Sequence, residues 1–177
     1  MILSKNMKKP KAVRSVNEVQ IIEIRGPWAS KSGGDLNVLF NLDHAQVTAF
    51  LDYDNPEFDS MPGDMRGLRS YKVENVPKGS IGAKECHIAR NEIVFAAKGS
   101  FSWKCIDLHG NEKEFILDGK TAVITPSGLL HIYEALEDDS TIQVVCNTGF
   151  APEDPATHDS YSIDDFYALQ AEIATDK

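Results

Sequence analysis

The chain has 177 residues, of which 42% are hydrophobic and 25% are charged, as is typical of one soluble globular domain. Its net charge of −9 argues against nucleic acid or an anionic membrane as a partner, because both select basic surfaces. No signal-peptide pattern and no run of about 18 apolar residues occurs, and the three cysteines form no CxxC pair, so we expect a cytoplasmic protein.

The first third of the chain combines an arm, short strands and a loop. Residues 1–18 are rich in lysine and arginine and form a predicted basic arm. Residues 19–24 and 35–42 have the short apolar pattern of strands. Residues 45–53 fit either a short helix or a strand. Residues 55–64 hold two prolines and a glycine, which predicts a loop.

The middle of the chain is a series of strand candidates separated by turn residues. They cover residues 68–76, 83–89, 92–99, 100–108, 112–117, 121–126, 129–136 and 141–148. They recur about every 8 to 12 residues, a spacing that favours a sandwich or barrel over a βαβ fold. We therefore place a barrel domain over residues 19–149.

The pattern changes in residues 150–177, which we predict to be a loop followed by a helix. The apolar residues near the end recur at helical spacing: Ile163, Phe166, Leu169 and Ile173. Ser162 precedes them and suits the N-cap position. We expect this helix to pack on the outside of the barrel.

One stretch of the predicted barrel has a distinctive spacing. Gly79 is followed by five residues, then Glu85-x-His87, four residues, Glu92, six residues and Gly99. This run resembles the first signature of the cupin barrels, in which the first histidine of a His-x-His segment stands where this chain has Glu85.

A second motif follows at the expected distance along the chain. Pro126, Gly128 and His131 give the Pro-x-Gly-x-x-His pattern of the second cupin signature. The two motifs, in this order and within a series of short strands, predict an all-β fold: a double-stranded β-helix (a cupin, or RmlC-like, jelly roll) with a C-terminal helix.

The spacing predicts that four polar side chains share the barrel interior. Residues i and i+2 of a strand face the same side, so Glu85 and His87 point together. Glu92 follows on the next strand, and His131 comes from a distant one. Imidazole and carboxylate ligands suit Mn, Fe, Zn or Ni, so these four residues could bind a divalent metal, with His87, Glu92 and His131 as a facial triad. The alternative is a metal-free barrel in which they hydrogen-bond to one another or to a ligand.

The sequence also resembles one branch of this fold, the WxcM-like sugar-nucleotide 3,4-ketoisomerases, which act on dTDP-4-keto-6-deoxyglucose. The resemblance runs from about residue 19 to residue 169. It lies in an Arg-x-Tyr segment at residues 69–71, the turn Pro77-x-Gly79, the Glu85-x-His87 segment and the acidic stretch before the C-terminal helix. It implies a metal-free homodimer that moves a ketone from C4 to C3 through an enediol, in deoxysugar synthesis for surface polysaccharide.

The resemblance assigns roles to matching residues. His87 is the candidate general base, because imidazole exchanges its proton near neutral pH. Tyr71 would donate to the sugar, and Arg69 would pair with the diphosphate. Glu85 replaces the first histidine of the family and would serve as acid or base if burial raised its pKa. Candidate substrate-binding residues are Arg69, Glu92 and His131.

Two other functions remain open at this point. One is a metal-dependent cupin, such as a dioxygenase or small-acid isomerase, using His87, Glu92 and His131 with Glu85. The other is a barrel that binds a small ligand without turnover. Outside the motifs, we expect Trp28 and Trp103 to be packing residues. We expect the remaining histidines to be solvated: His44, His109 and His158.

Overall fold

The computed structural model describes residues 6–154 and 157–175. The first five residues of the predicted arm, two residues of the predicted loop and the last two of the predicted helix lie outside the described residues. Within the described part, neither helix has the length and hydropathy of a membrane-spanning segment.

The described residues form twelve strands and two α-helices. The strands are β1 (Gln20–Glu23), β2 (Arg25–Ala29), β3 (Asp35–Val38), β4 (Arg66–Val76), β5 (Ile81–Cys86), β6 (Glu92–Lys98), β7 (Phe101–Ile106), β8 (Glu112–Leu117), β9 (Thr121–Thr125), β10 (Leu130–Ala135), β11 (Ser140–Thr148) and β12 (Tyr161–Ser162). The α-helices are α1 (His44–Leu51) and α2 (Ile163–Thr175), and short 3-10 turns cover Val16–Glu18 and Phe58–Ser60.

Two five-stranded antiparallel sheets make up the barrel. Their strand orders are β1-β9-β6-β11-β4 and β12-β5-β10-β7-β8. Strands that are neighbours in a sheet are mostly distant in sequence, as in a jelly roll. The prediction of an all-β jelly roll with a C-terminal helix is confirmed.

Sequence and structure differ near the N-terminus. Residues 45–53, for which strand and helix were both open, overlap α1, which covers His44–Leu51. The hairpin of β2 and β3 pairs with neither five-stranded sheet. Strand β2 was not predicted, because its sequence, Arg-Gly-Pro-Trp-Ala, contains two residues that are rare in strands. Trp28 on β2 is 49% exposed, so the expectation that it is a packing residue is wrong.

The main core lies between the two sheets. It contains Val94 and Val123 from the first sheet and Phe101, Trp103 and Leu117 from the second. Period-two alternation brings these residues inward while their neighbours along each strand face out. Trp103 is buried, as predicted for a packing residue.

A helix covers the outer face of each sheet. Phe50 of α1 packs on Ile93 and Phe95, so strand β6 is buried on both faces. On the other side, α2 packs its three buried apolar residues against Cys86 and Leu130, as its predicted amphipathic pattern requires.

The start of α2 has the predicted cap. The hydroxyl of Ser162 accepts the Asp165 N–H at 3.2 Å, and the Asp165 carboxylate accepts the Ser162 N–H at 3.0 Å. This reciprocal pair satisfies donors that the first helical turn leaves free.

The backbone explains why two motif positions are glycine. Gly99 has φ of +68°, and a Cβ there would lie 2.2 Å from the Ser140 hydroxyl, so no other residue fits without movement. Gly128 has φ of +84°, and its N–H donates to the His87 carbonyl oxygen at 2.6 Å. The second motif thus holds the end of the first in place.

Candidate active site

Polar residues from both sheets meet at one end of the barrel interior. In the first sheet, Cys146 on β11 pairs with Arg69 on β4 and with Glu92 on β6. In the second, Glu85 on β5 pairs with His131 on β10. The registers therefore place Arg69 and Glu92 on one wall and Glu85 and His131 on the opposite wall.

A bulge in β5 lies directly before the motif. Glu85 pairs with His131, whereas Ala83 pairs with Ile132, so Lys84 is an extra residue in the strand. Ala83 and Lys84 both have φ of 59°. Bulges of this kind change the direction of nearby side chains and are frequent beside functional sites.

His87 and Glu85 face the same interior, as the spacing predicts. The His87 Nε2 atom lies 4.0 Å from Glu85 Oε1 and 3.4 Å from Glu92 Oε1. Between them in the chain, Cys86 points the other way, into the cluster under α2.

Glu92 also faces the second histidine. Its Oε2 lies 3.5 Å from Nε2 of His131. The His131 ring is stacked on Trp103, with centroids 4.9 Å apart and an interplanar angle of 18°. Trp103 is fixed in turn, because its indole N–H donates to the Thr125 hydroxyl at 3.0 Å. One carboxylate therefore bridges two buried imidazoles whose ring centroids are 5.0 Å apart.

Arg90 joins the cluster although sequence reasoning did not select it. Its Nη1 lies 3.3 Å from Nε2 of His87 and 3.5 Å from Glu92 Oε1. Guanidinium has no acceptor, so His87 Nε2 accepts at this contact. The other ring nitrogen, Nδ1, donates to the backbone carbonyl oxygen of Asp159. These partners assign a neutral His87 with its proton on Nδ1 and a lone pair on Nε2.

Asp159 holds this part of the site and was also missed. Its buried carboxylate accepts three backbone N–H groups, those of Ile88 at 3.0 Å, Ala89 at 2.8 Å and Arg90 at 2.8 Å. These residues form the connection between β5 and β6. The loop before β12 thereby fixes the chain that carries His87 and Arg90.

The charges of the two glutamates follow from this packing. Burial alone would raise the pKa of Glu92. His131 and His87, as imidazoles that carry a proton in the acidic range where a carboxylate titrates, and the permanent charge of Arg90 more than offset burial and hold that pKa well below its usual range. Burial also opposes ionisation of Glu85, yet His87 and His131 leave its pKa lowered overall. The condition that burial would raise the Glu85 pKa is therefore not met, and both groups are carboxylates at neutral pH.

Tyr71 and His131 keep their neutral forms. Burial and the nearby Glu92 carboxylate raise the pKa of Tyr71, and its hydroxyl donates to Glu92 Oε1 at 3.1 Å. Burial lowers the pKa of His131 below its ordinary value, although Glu92 opposes the shift.

A cavity of about 360 Å³ opens above this cluster. Its lining includes Arg69, Tyr71, Glu85, Arg90, Phe150 and His158. A smaller cavity of about 110 Å³ adjoins it, sharing Tyr71 and Glu85 and adding His131 and Trp103. His87 and Glu92 are fully buried and are not among the residues that line these two cavities. Glu85, rather than His87, is thus the acid–base group in contact with the open volume.

The outer side of the larger cavity combines a cation with aromatic rings. The Arg69 guanidinium carbon lies 4.6 Å from the Phe150 ring centroid and 5.2 Å from that of Tyr71. His158 stacks on Phe150 at 4.7 Å and its Nε2 lies 3.1 Å from the Ala151 carbonyl oxygen. His158, which was expected to be solvated, is half-buried, whereas His44 and His109 are exposed as predicted.

Buried polar atoms without a partner are concentrated at this site. Among the described residues, the buried side-chain nitrogen or oxygen atoms that lack a hydrogen bond are Arg69 Nε, Arg90 Nε and His131 Nδ1. All three residues line the two cavities. Because buried donors are normally satisfied, the Nε–H groups of Arg69 and Arg90 indicate a ligand that offers acceptors.

The donor set also suits a metal ion. Ligand atoms of Glu85, His87 and His131 lie within 4.8 Å of one another. Two ligands bonded to one metal are at most about 4.2 Å apart, so the Glu85–His87 separation of 4.0 Å fits. The permanent charge of Arg90, whose Nη1 is 3.3 Å from His87 Nε2, opposes a divalent cation at the same place.

The chain is similar in fold to several solved structures. No family model and no curated protein sequence matches the chain. Among solved structures, the 3,4-ketoisomerase of Helicobacter canadensis has a TM-score of 0.58 and 12% identity, covering 87% of this chain and 98% of its own. A histidine-to-asparagine mutant of the 3,4-ketoisomerase QdtA from Thermoanaerobacterium thermosaccharolyticum, in complex with TDP-4-keto-6-deoxyglucose, has a TM-score of 0.59 and 16% identity, covering 90% and 97%.

A related enzyme class has the same fold. The dTDP-4-dehydrorhamnose 3,5-epimerase of Bacillus anthracis, with TDP and PPi bound, has a TM-score of 0.55 and 12% identity, covering 80% of each chain. At these identities the comparisons establish the cupin jelly roll. The chemistry must be argued from the residues of this chain.

Proposed function

We propose that this protein is a sugar-nucleotide 3,4-ketoisomerase acting on a dTDP-4-keto-6-deoxyhexose, in deoxysugar synthesis for surface polysaccharide. The observation that carries the proposal is the larger cavity. It joins Arg69, which has no carboxylate partner among the described residues, to a buried acid–base cluster. The names of the structural relatives, sugar 3,4-ketoisomerases and a dTDP-sugar epimerase, support the same substrate class.

The binding step uses the outer side of the cavity. Arg69 has an unsatisfied Nε and would donate to the diphosphate of the substrate. Phe150, which is 50% exposed, would contact the nucleoside part. The two carboxylates lie deeper and repel phosphate, so the uncharged sugar would enter first.

The chemical step uses the inner side. The Glu85 carboxylate would contact the sugar and take the C3 proton, and Nε2 of His87 would accept it from Glu85. Tyr71 keeps its proton, because its pKa is raised, and would donate a hydrogen bond to a sugar oxygen. Glu92 and His131 would hold Glu85 and His87 in position through the contacts described above.

The reaction balances without an external reductant. The C3–H bond breaks and its electrons form a C3–C4 double bond, while the C4 oxygen gains a proton. The resulting enediol then loses the proton of its C3 hydroxyl, and C4 receives a proton. One ketone is consumed and one is formed, so the protein needs only to move protons and stabilise an oxyanion.

The test is turnover of dTDP-4-keto-6-deoxyglucose in D2O, followed by NMR. We expect a 3-keto product with deuterium at C4, and loss of this activity in His87→Asn. His109→Asn changes an exposed histidine in the same way and should behave as wild type. If the wild-type protein neither exchanges the C3 proton nor gains thermal stability from dTDP, the proposal is wrong.

A metal-dependent cupin is the second candidate, because donor atoms of the cluster lie close enough to share an ion. Glu85, His87, Glu92 and His131 would hold Mn, Fe, Zn or Ni, and the ion would supply Lewis-acid chemistry. Elemental analysis of protein purified without chelator separates the two functions. Stoichiometric metal that is lost in His131→Gln would favour this candidate.

We further propose a cytoplasmic homodimer. The β2–β3 hairpin forms a sheet of its own, and Trp28 and Leu36 on it are 49% and 54% exposed. A two-stranded hairpin is marginally stable alone, and these apolar side chains would be covered by a second copy of the chain.

A further inference from the structure

The position of Arg90 is fixed by its backbone. Its own N–H is bonded to Asp159. The next residue, Asn91, is held from both sides: its N–H donates to Asn147 Oδ1 at 2.8 Å, and its side-chain amide donates to the Phe50 carbonyl oxygen at 2.8 Å. The Arg90 side chain therefore starts from a rigid base at the inner wall of the cavity.

The guanidinium of Arg90 has N–H donors that are not used within the described part of the protein. Of its five N–H bonds, those on Nη1 face His87 and Glu92, and one on Nη2 donates to the Ser160 hydroxyl at 3.4 Å. Its Nε is buried without a partner, and Arg90 is one of the residues that line the larger cavity. An acceptor atom of a ligand in that cavity would satisfy it.

A purely structural role, neutralising Glu92, explains this geometry poorly. Charge-assisted N–H···O contacts are normally about 2.7–2.9 Å long, whereas Arg90 Nη1 lies 3.5 Å from Glu92 Oε1. Glu92 already accepts from the Tyr71 hydroxyl at 3.1 Å, and its other oxygen lies 3.5 Å from Nε2 of His131. The Arg90–Glu92 contact is therefore long, and it uses only one of the nitrogen atoms of the guanidinium.

We propose that Arg90 is a catalytic residue that donates to the ketone oxygen of the substrate and stabilises the enediolate. This inference rests on the proposed function. When the C3–H bond breaks, negative charge develops on the C4 oxygen until it is protonated. A fixed cation in a buried site stabilises such an oxyanion without reorganising, and an arginine keeps its charge at every working pH.

The experiment compares Arg90→Lys and Arg90→Gln with wild type, using C3–H exchange of dTDP-4-keto-6-deoxyglucose. Removing one oxyanion donor elsewhere costs about 100- to 1000-fold in kcat, so we expect a fall of that order in Arg90→Gln, and a smaller one in Arg90→Lys. KM should change much less than kcat. The control, Arg66→Gln, removes an arginine that pairs with Asp59 and Asp64 outside the cavity.

Stabilisation by dTDP shows whether the binding site is intact in each variant. Retained dTDP stabilisation with the loss of kcat supports the proposal. If kcat stays within about 10-fold of wild type in both variants, or if both fail to fold or to bind dTDP, Arg90 is not an oxyanion donor and the proposal is overturned. Wild-type protein without C3 exchange contradicts the proposed function itself, before either variant is compared.

Discussion

Replacing Asp159 by asparagine should destabilise the protein strongly, although the change is isosteric. One carboxylate oxygen accepts the Ile88 N–H, and the other accepts those of Ala89 and Arg90. An amide supplies only one acceptor oxygen. If that oxygen takes the position with two bonds, the amide NH2 group faces the Ile88 N–H, donor against donor.

The magnitude follows from these three bonds. An unsatisfied buried donor costs about 1–3 kcal/mol, and each remaining bond loses about 1 kcal/mol when its acceptor is no longer charged. The free energy of unfolding should therefore fall by about 3–5 kcal/mol. In a domain of this size each 1 kcal/mol lowers Tm by about 2–4 °C, so even the lower figure predicts a drop of about 6–12 °C.

The assay is urea denaturation of wild type, Asp159→Asn and a charge-matched control, Asp35→Asn. Asp35 is exposed at the start of β3, so its variant loses the same charge without losing buried bonds. Equal m-values would show that the unfolded states are comparable. A loss in Asp159→Asn within about 1 kcal/mol of the control would show that the carboxylate does not hold the β5–β6 connection.

Three further predictions concern acid stability, binding and assembly. Because burial lowers the pKa of His131 below its ordinary value of 6.5, the unfolded chain binds a proton more readily, and the free energy of unfolding should fall as pH drops below about 6.5. In His131→Phe this decline, measured by urea denaturation between about pH 7.5 and 5, should be smaller; an unchanged slope would contradict it. Arg69→Gln should raise KM for the dTDP-sugar by about 10- to 100-fold, the value of one charged hydrogen bond, with little change in kcat; steady-state kinetics with an unchanged KM would remove Arg69 from the binding site. Trp28→Ser should shift the protein from dimer to monomer in light scattering after size exclusion, whereas a wild-type monomer would refute the homodimer.

The barrel strands were predictable because period-two alternation and turn residues are local signals. β8 covers the residues that the pattern indicated, and β4 to β11 as a set differ by a few residues at their ends. The two exceptions have different causes. β2 contains Gly26 and Pro27, which mask a strand in sequence, and the bulge at Lys84 depends on pairing with a distant strand.

Only part of the candidate site could be predicted from the sequence, namely the residues that lie in the two motifs. Glu85, His87, Glu92 and His131 stand at fixed spacings on strands, so their convergence follows from the fold. Arg90 and Asp159 lie in irregular connections, 69 residues apart in sequence, and only the folded chain brings them together. Arg90 did carry a signal: it is an arginine within three residues of the motif histidine, between two predicted strands.

The distribution of charge across the cavity decides how a substrate must enter. Glu85 and Glu92 are both ionised on the inner side, where Arg90 is the one permanent cation among the described residues that contact them. With neutral histidines the inner cluster is net negative, so a diphosphate placed there would be repelled at low dielectric.

Arg69 on the outer side has no carboxylate partner in the described structure and is held against exposed Phe150. A nucleotide sugar can satisfy both regions in one orientation, with phosphates outside and the ketose inside. That orientation is the one in which the ketone reaches Arg90 and its C3 hydrogen reaches Glu85.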